Sequence, residues 1–229
     1  MPHSDSSTSW SMVLGAAARR PDDQSRFAER YTPMIKAYLA ARWRVSTQHD
    51  DVCDAAQEVL LQCFRKEGAL DGLDADSASG FRAFLYGVTR NVAAMAERKR
   101  ARVRESQAEH SGVFERADAD PTISGVFDRG WAEVVVREAR SLLQRRALLQ
   151  GGKAALRARV LELRYQEALS PRDIAPRLGL HAKEVYRLLE DAQADFQAAL
   201  FDVMAVHCPS GTRGELERRC AELLTLLES

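Results

Sequence analysis

Residues 52–66, VCDAAQEVLLQCFRK, limit the fold more than any other stretch. Val52, Ala55, Ala56, Val59, Leu60, Cys63 and Phe64 recur at helical spacing. A 3.6-residue period gathers them on one face, whereas a strand scatters them over two. That face has to be buried, and the rest of the chain offers surfaces of the same kind. Phe27, Tyr31, Ile35, Tyr38 and Leu39 repeat with the helical period over residues 24–43, and Phe81, Phe84, Leu85, Val88, Val92 and Met95 do so from residue 79 onward. Alternating, strand-like runs are hard to find. Ala, Leu, Arg and Glu dominate, and 13 Gly and 7 Pro in 229 residues leave few breaks. The expected fold class is all-α.

Turn signals divide these helices. Thr32 is placed as an N-cap with Pro33 at the first helical position, which predicts a break, as two helices or a kinked one. Residues 66–80, KEGALDGLDADSASG, read as a loop, and Ser79 can cap the helix after it. Past residue 105 the apolar period disappears, and Glu105, Glu109, Glu115, Asp118 and Asp120 dominate. Such a segment buries too little to hold one conformation, so 105–127 is expected to be an acidic linker. It separates one small helical domain, 21–104, from a second, 128–204; extensions of 1–20 and 205–229 flank the pair.

In the second domain Trp131, Val135, Leu142 and Leu143 predict one amphipathic helix, and Leu156, Val160 and Leu163 the next. Ser170 is a cap, Pro171 opens a helix and Asp173 is placed for a capping box. Leu178-Gly179-Leu180 then turns into a longer helix that buries Val185, Leu189, Ala192, Phe196 and Leu200. A short Gly-bearing turn between two helices is the helix-turn-helix pattern. A last amphipathic piece, 215–227, aligns Leu216, Cys220, Leu223 and Leu227.

Three sets of polar residues invite a functional reading. Asp54, Gln57, Glu58 and Leu61, at i, i+3, i+4 and i+7, share the stripe opposite the apolar face of their helix. Taken alone, that stripe reads as a solvated face with one stray leucine. Next, Arg98, Lys99, Arg100, Arg102 and Arg104 fall within seven residues of a chain whose 33 Lys and Arg balance 33 Asp and Glu. One or two cations at a helix end complement its dipole; five exceed that need, and phosphate is the natural counter-charge. Arg82, Tyr86 and Arg90 are expected on the polar side of the same helix. Of Phe81, Phe84 and Tyr86, which could stack on bases, two read more economically as core. Third, Lys183, Tyr186 and Arg187 point outward early in the second motif helix, where such motifs read bases. Arg172 and its neighbours Arg157, Arg159 and Arg164 add charge beside them. Glu184, Glu190, Asp191 and Asp195 oppose this, so the helix is expected to bind DNA weakly by itself.

No Ser/His/Asp arrangement, Gly-rich phosphate loop or paired-carboxylate site argues for catalysis. His207, Cys208 and Cys220 match no familiar zinc spacing, so neither metal nor cofactor is expected. No apolar run approaches the roughly 18 residues of a membrane span, and the N-terminus lacks signal-peptide features, so a cytoplasmic protein without membrane insertion is expected.

FAERYTPMIKAYLAARW, DAAQEVLLQCFR, FRAFLYGVTRNVAAMAERKRAR and VLELRYQEALSPRDIAPRLGLHAKEVYRLLEDAQ occur in that order. Together they resemble bacterial RNA polymerase sigma factors of the extracytoplasmic-function type, over most of residues 8–204. DAAQEV, residues 54–59, is the most specific motif, followed by Asn91 with Arg98. The resemblance implies a region 2-like bundle and a region 4-like helix-turn-helix domain. It implies that Asp54, Gln57, Glu58 and Leu61 dock on core RNA polymerase, which accounts for the odd chemistry of their stripe. The 66–80 loop and the helix carrying Arg82, Arg90, Asn91, Arg98, Lys99, Arg100 and Arg102 would engage and melt the minus-ten element of promoter DNA. Arg172, Lys183, Tyr186 and Arg187 would lie at the minus-thirty-five element. An anti-sigma factor is a further candidate partner that the sequence does not identify. Two other readings stay open: a helix-turn-helix regulator acting without polymerase, and a sigma-like interaction module that no longer reads promoters.

Overall fold

Among the residues described by the computed structural model, 10–65, 70, 80–107 and 121–228, every regular element is an α-helix. In chain order these are α1 (Trp10–Ala17), α2 (Pro21–Trp43), α3 (Asp50–Phe64), α4 (Gly80–Gln107) and α5 (Pro121–Gln150). They are followed by α6 (Gly152–Tyr165), α7 (Pro171–Leu178), α8 (Ala182–His207) and α9 (Arg213–Glu228). None is long and apolar enough to cross a membrane.

Of the two outcomes expected at Thr32–Pro33, a split into two helices does not occur. α2 starts with Pro21 in its first turn and runs through Pro33 to Trp43. An interior proline costs about 3 kcal/mol through its missing donor and ring clash. Phe27 and Tyr31 before it, and Ile35, Tyr38 and Leu39 after it, are all fully buried along one side of the helix. At about 1.5–3 kcal/mol per large side chain, that burial outweighs the proline.

The linker and domain boundary also differ from expectation. α4 continues to Gln107 and α5 begins at Pro121, so both ends of 105–127 are helical, while 108–120, like Ser79 and most of the 66–80 loop, lie outside the described residues. More important, one core spans both sides of the expected boundary. Phe127 and Trp131 of α5 are buried among residues of α2 and α4. The Trp131 ring stacks on Tyr31 at 6.3 Å, and Phe127 meets Tyr38 and Tyr86 edge-on at 5.8 and 5.1 Å. A half-buried polar chain reinforces the junction: Arg30 of α2 pairs with Glu138 of α5 at 2.6 Å, and Glu138 reaches His207 Nε2 of α8 at 3.2 Å. Sequence periodicity shows that residues 131–143 have an apolar face; it does not reveal which helices that face meets.

The extensions join the same core. Met12, Val13 and Ala16 of α1 are buried in it, as are Leu216 and Leu223 of α9, which packs on α5 and α8. The terminal helix therefore extends the core and leaves Lys183 and Arg187 exposed. A second, smaller cluster belongs to the helix-turn-helix: Val160, Leu163, Ile174, Ala175, Val185 and Leu189. The division between cores thus falls within α8, whose first half serves the small lobe and whose second half, through Ala199, Leu200, Val203 and Met204, serves the large one.

Close approach of α5 to α2 depends on Gly130, where a Cβ would lie 2.8 Å from the Met34 Cβ. Gly130→Val is expected to lower stability by about 2–3 kcal/mol, because neither helix backbone can give way without opening the shared core. Gly125, one turn earlier in α5, has open space around it. Gly125→Ala is therefore expected to raise stability by about 0.5–1 kcal/mol through helix propensity. Paired urea titrations check both.

Candidate functional site

α3 presents its stripe as a free surface. Val52, Ala55, Ala56, Val59 and Cys63 are buried, whereas Asp54, Gln57, Glu58 and Leu61 are exposed, Leu61 by 62%. Asp54 and Glu58 have no ion-pair partner among the described residues; Glu58 only accepts a 3.1 Å hydrogen bond from Gln62, one turn on. An apolar side chain one turn beyond two uncompensated carboxylates suits a partner surface that sets a basic patch beside an apolar pocket.

α4 divides its cations between two tasks. Asn91, Met95, Arg98 and Arg102 recur at spacings of four, three and four, and all are exposed, with Arg90 and Lys99 on either side. Arg98 Nε donates to the Ala94 carbonyl at 3.2 Å, and among the described residues no carboxylate pairs with any of these cations. Arg100 behaves differently. Its guanidinium lies 4.1 Å from the centre of the Trp43 ring and 3.0 Å from Asp51 of α3, so it is engaged within the fold. Arg82 is exposed but paired with Asp128 of α5. Tyr86, expected on the polar side, is half-buried between Tyr38 and Phe127, because α5 covers that flank of α4. Phe81 is buried and Phe84 half-buried, so the aromatics of this helix serve the core. The side chain of Arg104 lies outside the described residues.

What aims the cationic stripe is a junction with no local sequence signal. Glu97 of α4 accepts from Arg42 Nε at 2.6 Å, from Arg42 Nη2 at 2.9 Å and from Trp43 Nε1 at 2.9 Å. These bonds fasten the distal half of α4 to the end of α2. Burial alone would raise the Glu97 carboxyl, but the hydrogen bonds from Arg42 and Trp43 and the charges of Arg42 and Arg100 outweigh it and hold it below the ordinary range. A depressed carboxylate stabilises the fold above its unfolded pKa, about 4.3, and that contribution is lost as pH falls through the lower folded value. Glu97→Gln is expected to cost about 1–3 kcal/mol at pH 7. The gap to wild type should narrow below about pH 4, as thermal unfolding across pH 3–7 will read.

The helix-turn-helix forms as the capping residues predict. The Ser170 hydroxyl accepts from the Asp173 N–H and donates to the Asp173 carboxylate, and Gly179 ends α7 with φ +66°, a conformation that favours glycine. Arg172, Lys183, Tyr186 and Arg187 are all exposed on this lobe. Their supporting arginines are largely neutralised. Arg157 pairs with Asp195 at 2.6 Å, Arg159 with Glu162 at 2.7 Å, and Arg177 with Glu167 at 2.7 Å. Glu184, Glu190 and Asp191 stay exposed on the helix that carries Lys183, Tyr186 and Arg187.

No family model, curated protein or solved structure matches this chain.

The remaining polar residues, near the C-terminus, are engaged within the fold. His207 is buried against Glu138 with its ring edge-on to Trp131, and the Cys208 sulfur accepts from Arg219 Nη1 at 2.8 Å. Burial pushes the Cys220 thiol up to about 11, with the charges of Cys208 and Glu217 adding to it. Among the described residues no three His, Cys, Asp or Glu side chains are grouped as metal ligands.

Proposed function

We propose that this chain is a sigma-type specificity subunit that lends promoter recognition to core RNA polymerase and carries no catalysis of its own. The observation that supports this best is the outer stripe of α3, where an exposed leucine shares a face with Asp54, Gln57 and Glu58 while Val52, Ala55, Ala56, Val59 and Cys63 are buried on the other. In this reading the stripe docks on polymerase. Asn91, Arg98, Lys99 and Arg102 then track the phosphates of the opening strand, with Arg90 beside them. Arg100 supports the helix that carries them, and Arg82 reaches DNA only by exchanging Asp128 for phosphate. The lobe bearing Arg172, Lys183, Tyr186 and Arg187 contacts the upstream element.

Run-off transcription on a genomic template library tests it. Wild type with core polymerase is expected to give specific starts, and Asp54→Arg/Glu58→Arg to abolish them. Lys183→Ala/Arg187→Ala should weaken starts that depend on an upstream element. No specific starts from wild type would overturn the proposal.

A second reading, an interaction module that no longer reads promoters, draws on one observation. The arginines flanking the helix-turn-helix face carboxylates of this chain, and α8 adds exposed Glu190 and Asp191 to the face that carries Lys183 and Arg187. Phosphate contacts supply much of a DNA reader's affinity, and this lobe offers few. Starts that survive Lys183→Ala/Arg187→Ala unchanged would favour a lobe that reads no DNA. Polymerase binding without specific starts would favour the module as a whole.

A further inference from the structure

The proposed function leaves unused a groove of about 440 Å3 between α5, α6, α8 and α9. Small-molecule sites have this size and, in helical proteins, this location between helices. Leu143, Leu161, Phe196, Leu224 and Leu227 make its lining largely apolar. Gln144, Gln166, Gln193 and Gln197 also line it and supply neutral hydrogen-bonding groups; Gln193 donates to the Tyr165 hydroxyl at 2.8 Å.

Its charge is one-sided. Of the two charged lining residues, Glu162 is already compensated by Arg159 at 2.7 Å. Arg140 is exposed and has no ion-pair partner among the described residues, whereas Arg146 of α5 and Arg157 of α6 pair with Asp202 and Asp195 at 2.6 Å. An apolar cleft with neutral amides and one uncompensated cation suits a ligand with an apolar body and a single anionic group. A cationic ligand would meet Arg140 unopposed, and a polyphosphate would find one cation and an unfavourable apolar surface.

We propose that this groove binds a small amphipathic monocarboxylate, its chain along the leucines and its carboxylate on Arg140. Because α9 contributes Leu224 and Leu227, while α6 and α8 also build the helix-turn-helix lobe, the bound ligand braces the terminal helix against that lobe.

Calorimetric titration of the full chain with decanoate and with uncharged decanol tests this. Wild type is expected to bind decanoate at least about tenfold more tightly than decanol, the effect of one charge-assisted contact. Arg140→Gln should erase that preference while leaving decanol binding unchanged. Ala158→Trp, placed in the groove, should abolish binding of both; Gln193→Trp, at an exposed lining position that disturbs folding little, serves the same end. Absence of decanoate binding by wild type, equal binding of the two probes, a preference that survives Arg140→Gln, or undiminished binding in folded Gln193→Trp would each overturn the proposal.

Discussion

Asp54→Arg/Glu58→Arg is expected to lower affinity for core RNA polymerase by at least about 100-fold, or about 2.7 kcal/mol, with little loss of fold stability. Both carboxylates are exposed and neither is in an ion pair among the described residues, so the fold loses almost nothing when they change. Exposed substitutions of this sort usually fall within about 0.5 kcal/mol. At a basic partner surface, by contrast, each reversal replaces an attraction with a like-charge contact, which costs several kcal/mol in a desolvated interface. Leu61→Ala should weaken binding as well, since a 62% exposed leucine gains only on docking. Titration of fluorescently labelled protein with core polymerase, alongside thermal unfolding of each variant, separates docking from folding. A stable double variant with wild-type affinity would remove α3 from the interface.

Trp131→Ala is expected to cost about 3–5 kcal/mol, the largest stability effect of any substitution considered, and to shift one unfolding transition instead of splitting it. Trp131 lies on α5, past the expected linker, yet its ring meets Tyr31 of α2, Phe81 of α4 and His207 of α8. Truncating it opens a cavity where four helices join, and the aromatic contacts on each side lose their partner together. If 21–104 and 128–204 folded independently, the same change would destabilise the second alone and leave a two-step urea profile. Intrinsic fluorescence, far-UV circular dichroism and hydrogen exchange should instead report a common midpoint.

How much of this was legible in the sequence depended on whether the deciding contacts are local. The faces of α3 and the caps of α7 follow from residues within a turn or two: Val52 through Cys63 repeat with the helix, and Ser170, Asp173 and Gly179 hold their own backbone. The exposed set on α3, with Asn91, Arg98, Lys99 and Arg102 on α4, was legible for the same reason. Which of the two outcomes Pro33 produces was not legible, because the penalty is local and the compensation is not; it comes from five side chains packed on other helices. Arg82 is exposed as the period of α4 predicts, but that period cannot show that Asp128 pairs with it or that Phe127 half-buries Tyr86 on the same flank. The junction of Glu97 with Arg42 and Trp43 is a pairing of residues more than fifty positions apart, and a glutamate among arginines looks like ordinary charge mixing. The boundary within α8 was hidden because a continuous amphipathic helix gives no sign that its two halves serve different cores.

The central claim is that two faces of one helical body meet different partners: α3 meets protein and α4 meets nucleic acid. Photocrosslinking tests it most directly. A photoreactive side chain replaces Leu61 in one variant and Met95, 53% exposed between Asn91 and Arg98, in another. Each variant is irradiated in a mixture of core polymerase and promoter DNA. The probe at 61 should label a polymerase subunit and not DNA, and the probe at 95 should label DNA. Labelling of the same partner from both positions, or of neither partner from either, would contradict the account.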